Sequence, residues 1–338
     1  MLVFNICICV YVIIWFYTTI KGNNMSHMSL MVITDELDEV EEALIPFASQ
    51  TDSEYMEFLE TETENREDYR NKTLNAKRLP DGTLTHEYDE KYRSYDMENF
   101  GSQFIFPEGT QTIVMTMNEF YPTFEEYMEK WCGSEERDEI KGVFGYWHNP
   151  NSQYDWFQIG GRWTGYFKPK SGVEGLLGEP GSFDNQPREG WCDALKIKDI
   201  DIEAMQEIAR VEANEEYDKV EALIAGRELP SWSKIRKEQG EDYKKAQDIY
   251  AQYQVVKDFK EANVHVWGGL FEAYGKNRED FVQKRVNNVL RPFAILVDGV
   301  FTEHGWDDKT SEQWSEEFFT IFNNLDPEKY VTLVDYHN

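Results

Sequence analysis

The sequence predicts an α+β protein: a mostly antiparallel sheet covered by amphipathic helices, with a helical insertion. Three observations predict it. Short apolar runs with strand-like character occur near both ends and in the middle of the chain. Capped amphipathic segments follow several of these runs, and an Asp298-Gly299 pair between two apolar runs is typical of a tight antiparallel turn. Strands followed by capped helices favour this class over a doubly wound parallel sheet.

The composition is that of a folded, acidic protein. The chain has 338 residues, of which 41% are hydrophobic, and 64 acidic against 34 basic side chains give a formal net charge of -30. Such a chain can bury a core. Its acidity argues against nucleic-acid binding, because neutralising phosphates requires clustered Lys and Arg. None of the four cysteines has the spacing of a disulfide framework or a zinc site, so neither metal nor cofactor is predicted.

The first 24 residues form an apolar N-terminal segment. Residues 2–20 are nearly all apolar and long enough to cross a bilayer, and Lys21 follows them. As a membrane anchor, this segment would keep the main body in the cytoplasm. The alternative is an over-extended start, with the true start at Met25, Met28 or Met31. A cleaved signal is disfavoured, because no positive charge precedes the apolar run and no small-residue cleavage site follows it.

Residues 28–198 are predicted to form an α+β core. A strand at 29–34 is followed by a helix at 35–45, and the acidic segment 52–68 fits either a helix or a loop. The remaining predictions before residue 140 are a turn at residues 80–82, a strand at 111–117 and a helix at 122–133 that ends at Gly133.

The densest run of aromatic residues and glycines lies between residues 142 and 167 and carries little charge. Two apolar runs, 142–147 and 154–159, flank an Asn/Pro/Ser-rich segment, which predicts a β-hairpin with a loop longer than two residues. Gly160 and Gly161 then predict a bulge or a close approach at the end of the second strand. A loop rich in Gly and Pro follows at 169–187.

Two interpretations of this run stay open. It fits a ligand site in which indole faces stack on the ligand, an arginine binds an anion and glycine amides point at a phosphate or carboxylate. The candidate ligand-binding residues are His148, Asp155, Trp156, Gly160, Gly161, Arg162 and Trp163. The alternative is an aromatic corner of the core, with Arg162 bonded to a buried carboxylate such as Asp155. A double glycine without the rest of a nucleotide fingerprint favours this alternative.

The C-terminal half is predicted as a helical insertion at 199–262, with a break at Gly240, followed by the rest of the core at 263–338. In the latter, a strand is predicted at 264–267, a helix at 277–290 and a hairpin at 293–304. A helix capped by Thr310 and Gln313 precedes a last strand at 330–336. By the two-residue period of a strand, Asp335 and His337 share a side of it.

Several phrases of the sequence occur together in a fixed order: PTFEEYMEKW, NPNSQYDWFQIGGRWTGYF, DALKIKDIDIEAM, RPFAILVDGVF and YVTLVDYHN. With them, the chain resembles a protein family encoded by bacteriophages and by some bacterial genomes. The resemblance covers most of the chain from about Met28 to Asn338, and its shared patterns are NPNxxxDWxxIGGRWxG and a C-terminal LVDxH strand. It implies a phage or mobile-element origin. The family has no activity that would identify a catalytic residue here.

No catalytic motif specific enough to name a reaction occurs: there is no GxSxG, HExxH or P-loop. Further acid–base candidates are His304 and the pair Asp335 and His337, although a pair near a terminus is more often a surface pair. The leading hypothesis is a phage-encoded accessory protein that binds a host or phage protein in the cytoplasm of the bacterial host. The alternatives are a small-ligand or nucleotide-handling enzyme centred on the candidate residues above, and a single-pass membrane-anchored protein.

Overall fold

The computed structural model describes residues 27–51, 53–96, 101–133, 135–181, 186–240, 242–262, 264, 274, 277–305 and 309–337. The chain divides into two compact units by its internal contacts. The first unit contains Pro46–Gln153, and the second joins Met25–Ile45 to Tyr154–Asn338. The apolar segment at 2–20 lies outside the described residues, as does all of the strand predicted at 264–267 except Val264.

The protein has an α+β fold, as predicted, with mostly antiparallel strands and a helical insertion. Its strands are β1 His27–Thr34, β2 Glu57–Glu60, β3 Thr73–Arg78, β4 Leu84–His86, β5 Arg93–Asp96, β6 Gly101–Phe104, β7 Gln111–Thr116, β8 Glu136–Arg137, β9 Phe144–His148, β10 Trp156–Gly161, β11 Glu179–Pro180, β12 Ala194–Lys196, β13 Ala294–Val297, β14 Val300–Glu303 and β15 Tyr330–His337. Its α-helices are α1 Val40–Leu44, α2 Glu62–Asn71, α3 Met117–Phe120, α4 Phe124–Tyr127, α5 Ile202–Ile224, α6 Trp232–Gln239, α7 Tyr243–Ala251, α8 Gln254–Glu261, α9 Arg278–Asn287 and α10 Ser311–Phe322.

The first unit contains small antiparallel sheets with the strand orders β2-β9-β8, β4-β3-β7 and β5-β6. The predicted turn at residues 80–82 is confirmed, because β3 and β4 pair across it. The predicted helix at 122–133 is confirmed as well. Thr123 caps α4, a π-helical turn continues it through Met128–Cys132, and Gly133 ends it with a φ of +50°. In the acidic segment, β2 and α2 form where a helix or a loop was predicted.

The second unit is built on one sheet with the strand order β11-β10-β15-β1-β13-β14, and β12 also pairs with β15. Strand β15 lies between β1 and β10 and is antiparallel to both, whereas β1 is parallel to β13. Apolar residues of the sheet pack against α10, whose Trp314 and Phe318 are almost fully buried. The first and last strands of the chain are therefore central neighbours in this sheet.

The hairpin predicted from 142–147 and 154–159 is wrong. Both strands form, as β9 and β10, but they do not pair with each other. Strand β9 pairs with β2 and β8, whereas β10 pairs with β15 and β11. Apolar runs beside a turn-forming segment do not specify a partner, and here distant strands supply one.

The helical insertion and α9 share an apolar cluster. It includes Ala213, Val220, Ile235, Ala246, Tyr250, Val255, Phe259, Phe281 and Val286. The helix predicted near 231–262 is broken at Gly240, as expected, and a second time between α7 and α8. Gly240 has a φ of +61°, and Asp242 caps the next helix by accepting a hydrogen bond from the Lys245 amide. The predicted hairpin β13–β14 is also confirmed, with φ of 48° at Asp298 and 76° at Gly299.

Candidate active site

One end of the sheet in the second unit carries a row of three aromatic side chains. In the strand register, Trp156 of β10 is opposite His337 of β15, and His337 is opposite His27 of β1. Because alternate residues of a strand share a face, Gln158 and Asp335 form the next row on the same face. Three strands from the beginning, the middle and the end of the chain thus place these side chains side by side.

His27 is held by a buried carboxylate. Its Nδ1 lies 2.9 Å from Oδ1 of Asp335, whose side chain is only 1% exposed. The other oxygen of Asp335, Oδ2, accepts a hydrogen bond of 2.9 Å from the backbone amide of Arg162. A neutral imidazole that donates a proton from Nδ1 to a carboxylate carries its lone pair on Nε2. This arrangement is therefore suited to a histidine that exchanges protons through Nε2.

His337 is held in the same way by Asp155. Its Nδ1 lies 2.7 Å from Oδ1 of Asp155, and the Asp155 amide donates to the His337 carbonyl at 3.0 Å. The Asp155 side chain is 44% exposed, so this pair is more hydrated than the first. In the interpretation of the aromatic run as a core corner, Arg162 is bonded to a buried carboxylate such as Asp155. The structure pairs Asp155 with a histidine, and Asp335 accepts the Arg162 amide.

The two histidines lie at one small cleft. Their ring centroids are 5.3 Å apart, and the ring of Trp156 approaches that of His27 edge-on at 5.7 Å. The cleft has a volume of about 320 Å³, and its lining residues are His27, Trp156, Gln158, Arg162, Gly181, Asp335 and His337. We call it the histidine cleft. It combines two histidines, a tryptophan and an arginine around a space that fits a small polar group.

The double glycine at the end of β10 forms the sharp bend that the sequence predicts. Gly160 and Gly161 have φ of +80° and +55°, where residues with a Cβ are strained. The amides of Trp163 and Thr164 donate back to the carbonyls of the two glycines, at 3.1 and 3.3 Å. A Cβ on Gly161 would overlap the side chain of Asp335. Glycine is thus required both by the backbone angle and by the close approach of this carboxylate.

A second buried carboxylate holds the residues after the bend. Asp193 is fully buried and accepts four hydrogen bonds. Its Oδ1 receives the amides of Gly165 at 2.7 Å and Tyr166 at 3.2 Å, and its Oδ2 receives the Thr164 hydroxyl at 3.0 Å and the Gly178 amide at 2.9 Å. Several donors are what a carboxylate needs in order to stay charged away from water. Asp193 therefore links the residues after the bend to the neighbouring Gly-rich loop by hydrogen bonds.

Arg162 lies at the bend and lines two clefts. One is the histidine cleft, and the other is a larger cleft of about 630 Å³ that also involves α5 and α9. Two ion pairs belong to residues of this larger cleft. Arg188 pairs with Glu212 at 3.0 Å, and Arg285 pairs with Glu216 at 2.9 Å. The bend thus places Arg162 where it lines both clefts.

Other ionisable groups near the bend are poor nucleophiles. Burial, and secondarily the neighbouring Asp193, raise the pKa of the Cys192 thiol to about 11. Burial also raises the pKa of the Tyr166 phenol well above its usual range. Both groups are therefore protonated at neutral pH, and the histidines are the better suited to proton transfer.

Six of the seven residues predicted as ligand-binding belong to the second unit: Asp155, Trp156, Gly160, Gly161, Arg162 and Trp163. The seventh, His148, belongs to β9 of the first unit, where its ring contacts that of Tyr146. Asp335 and His337 share a face of β15, as predicted, and both line the histidine cleft. The interpretation of this pair as a surface pair is wrong for Asp335, which is buried.

Sequence reasoning missed His27 and Asp193. His27 precedes an apolar strand, and nothing local distinguishes it from a polar residue at a strand end. Asp193 had a usable signal, since it interrupts the apolar run WCDAL, and an acid within a buried strand needs several hydrogen-bond donors. Such a residue indicates a buried carboxylate, although its partners cannot be read from the sequence.

Among the residues that the structure describes, no group of three or more His, Cys, Asp or Glu side chains could hold a metal ion. Within the same part of the chain, no helix has both the length and the apolar character to cross a membrane. The chain matches no known protein family, no curated protein and no solved structure. Its function is therefore inferred from the site itself.

Proposed function

We propose that the second unit is an enzyme that cleaves a phosphoester of a small molecule, with His27 and His337 as its acid–base pair. One observation carries this proposal. Two imidazoles, each bound at Nδ1 by a carboxylate, lie at one cleft with their ring centroids 5.3 Å apart. A base and an acid at this spacing can act on the two sides of one reacting group.

The choice of an anionic substrate rests on Arg162. An arginine guanidinium is a permanent cation and presents its N–H donors in a fork that matches phosphate oxygens. Arg162 lines the histidine cleft together with both histidines. A phosphate bound there would lie between a permanent cation and two proton-transfer groups.

The proposed reaction is hydrolysis. One histidine takes a proton from water while the water oxygen forms a bond to phosphorus. The P–O bond to the alcohol breaks, and the other histidine gives its proton to the leaving oxygen. Arg162 stabilises the charge on the remaining phosphate oxygens. Exchange of one proton between each histidine and solvent restores the starting state, so atoms and charges balance.

Hydrolysis of bis(p-nitrophenyl) phosphate tests this proposal. The full chain is expected to release p-nitrophenol, and His27→Asn or His337→Asn should each lower kcat by about 10²-fold or more. His304→Asn is the matched control in the same unit, because His304 contacts Phe293 and does not line the cleft. Circular dichroism verifies that each variant is folded. No hydrolysis by the wild-type chain, or equal rates in the His27→Asn variant, would refute the acid–base pair.

A second candidate function is binding of a host or phage protein, the hypothesis first drawn from the charge balance. The observation that favours it is in the first unit. Ile140, in the connection between β8 and β9, is 96% exposed, and Trp147 of β9 is 52% exposed. Exposed apolar side chains on one hairpin are a feature of contact sites. If this hairpin binds a protein, that partner should co-purify with the wild type and with Val300→Ser. It should be lost from an Ile140→Ser, Trp147→Ser double variant.

We also propose that the protein is phage-encoded and acts in the cytoplasm of a bacterial host. The family resemblance supports the origin, and the acidic composition supports the location. Fractionation of host cells tests the membrane-anchored alternative. A chain that enters the membrane fraction only when residues 1–24 are present would support the anchor, whereas the same soluble distribution with and without them would support the cytoplasm.

A further inference from the structure

The larger cleft beside the histidine cleft has its own chemistry. Its charged lining residues are Arg162, Arg188, Arg285, Glu212 and Glu216, so three cations face two anions in a chain with a net charge of -30. Trp163 and Trp191 line it as well. We propose that this cleft binds the nucleoside part of the substrate, so that the substrate is a nucleoside phosphate. This inference rests on the proposed function and specifies its substrate class.

The aromatic walls supply the place for a base. Trp163 and Trp191 line the cleft and also pack against the hydrophobic core of the unit, so their rings are supported from behind. The guanidinium of Arg188 lies 4.8 Å from the centroid of the Trp191 ring. Planar heterocycles stack on indole rings and on guanidinium planes. Trp163, Trp191 and the Arg188 guanidinium therefore offer flat groups on which a nucleobase can stack.

Arg162 sets the position of the phosphate. It lines both clefts, and Asp335 accepts its amide while also holding His27. A phosphate on Arg162 would thus have the histidines on one side and the nucleoside cleft on the other. The volume of about 630 Å³ is enough for a nucleoside, since small-ligand sites typically have some hundreds of Å³.

The ion pairs bear on access to the cleft, and the net charge bears on the size of the ligand. The pairs Arg188–Glu212 and Arg285–Glu216 are both largely exposed, so each is weak and one can open to admit a ligand. A long polyanion would be repelled by the overall charge of -30. A mononucleotide, with one phosphate group or a few, is therefore the expected class, rather than a nucleic acid.

Isothermal titration calorimetry of the full chain with AMP and with ribose 5-phosphate tests this site. The two probes share the phosphate and the sugar and differ in the base. AMP is expected to bind at least about tenfold more tightly, the gain that one stacked base supplies. Trp191→Leu should remove this advantage and leave ribose 5-phosphate binding unchanged. Tyr253→Leu, at an exposed aromatic residue of the same unit, should keep it.

The outcomes separate this inference from the proposed function. His27→Asn should still bind AMP more tightly than ribose 5-phosphate, because the two probes share the phosphate and the substitution leaves Trp163 and Trp191 in place. Equal affinities for the two probes, no binding of AMP, or AMP binding that Trp191→Leu leaves unchanged would each overturn the nucleoside cleft. In those cases, histidine-dependent hydrolysis of bis(p-nitrophenyl) phosphate would still support the enzyme. AMP binding without any hydrolysis would keep the nucleotide site and reject the enzyme.

Discussion

His27 and Asp335, 308 residues apart in the chain, are joined by a contact of 2.9 Å between Nδ1 and Oδ1. The same carboxylate accepts the backbone amide of Arg162 through Oδ2. One buried side chain therefore positions both a histidine and the bend that carries the arginine. This double role makes Asp335 the residue at which the proposed acid–base pair and the proposed anion site are coupled.

Asp335→Asn should reduce phosphodiester hydrolysis by about 10²-fold or more. An amide in place of the carboxylate no longer stabilises a protonated His27, and it can turn its NH₂ group toward the ring and change the tautomer. Asp155→Asn should have a smaller effect, because Asp155 is 44% exposed and water can replace it. The measurement is kcat/KM for bis(p-nitrophenyl) phosphate in folded variants. An unchanged kcat/KM in Asp335→Asn would show that the His27 contact has no catalytic role.

Gly161→Ala should destabilise the protein more than Gly172→Ala does. Both glycines have positive φ, +55° and +82°, so both substitutions add backbone strain of about 1–2 kcal/mol. Only at Gly161 would the new Cβ overlap Asp335, whereas at Gly172 nothing lies within 4 Å. The free energy of unfolding of the Gly161 variant should therefore fall by a further ~1–3 kcal/mol, as at other overpacked sites. Urea unfolding measures both, and equal losses would mean that the close approach is not required.

Asp193→Asn should lower the free energy of unfolding by about 3 kcal/mol. The buried carboxylate accepts four hydrogen bonds, and an amide keeps one acceptor oxygen while its NH₂ group faces other donors. Asp248→Asn, on the exposed side of α7, is the control and should change stability by no more than about 0.5 kcal/mol. Chemical denaturation compares the two. Equal stabilities would indicate that the bend is held by other contacts.

Cys132 and Cys192 should resist alkylation while the protein is folded. Burial raises the pKa of each thiol to about 11, so only about one thiol in a thousand is a thiolate at pH 8. Because burial raises the pKa of each thiol in the folded state, the protonated thiols contribute to the free energy of unfolding. This contribution is complete below the unfolded-state pKa. It is lost as the pH rises through about 11. Iodoacetamide labelling with peptide mapping should detect both sites only after unfolding, and rapid labelling at pH 8 in the folded state would contradict this.

Elements that depend on neighbouring residues were predictable. Asp298 and Gly299 adopt the positive φ that a tight hairpin turn needs, and the capping box of Thr310 and Gln313 forms as expected. Gly160 and Gly161 make the predicted bend. In each case the signal and the structure lie within the same few residues, and short-range sterics and hydrogen bonds decide the conformation.

Elements that depend on distant partners could not be predicted from the sequence. The apolar runs at 142–147 and 154–159 form strands, as predicted, but each pairs with strands elsewhere in the chain. His27 gained its role only through its register with β15. A strand pattern shows which face is apolar, and it does not show which strand will pair with it.

The amino-acid sequence by itself determined the α+β class, most helices and their caps, the tight turns and the bend that carries Arg162. Only the tertiary structure placed His27, Asp335 and His337 at one cleft and divided the aromatic run between two units. The physical reason is the range of the interactions. Helix caps and turns are stabilised by groups a few residues apart, whereas a sheet register is decided by the burial and hydrogen bonding of whole strands, summed over the fold.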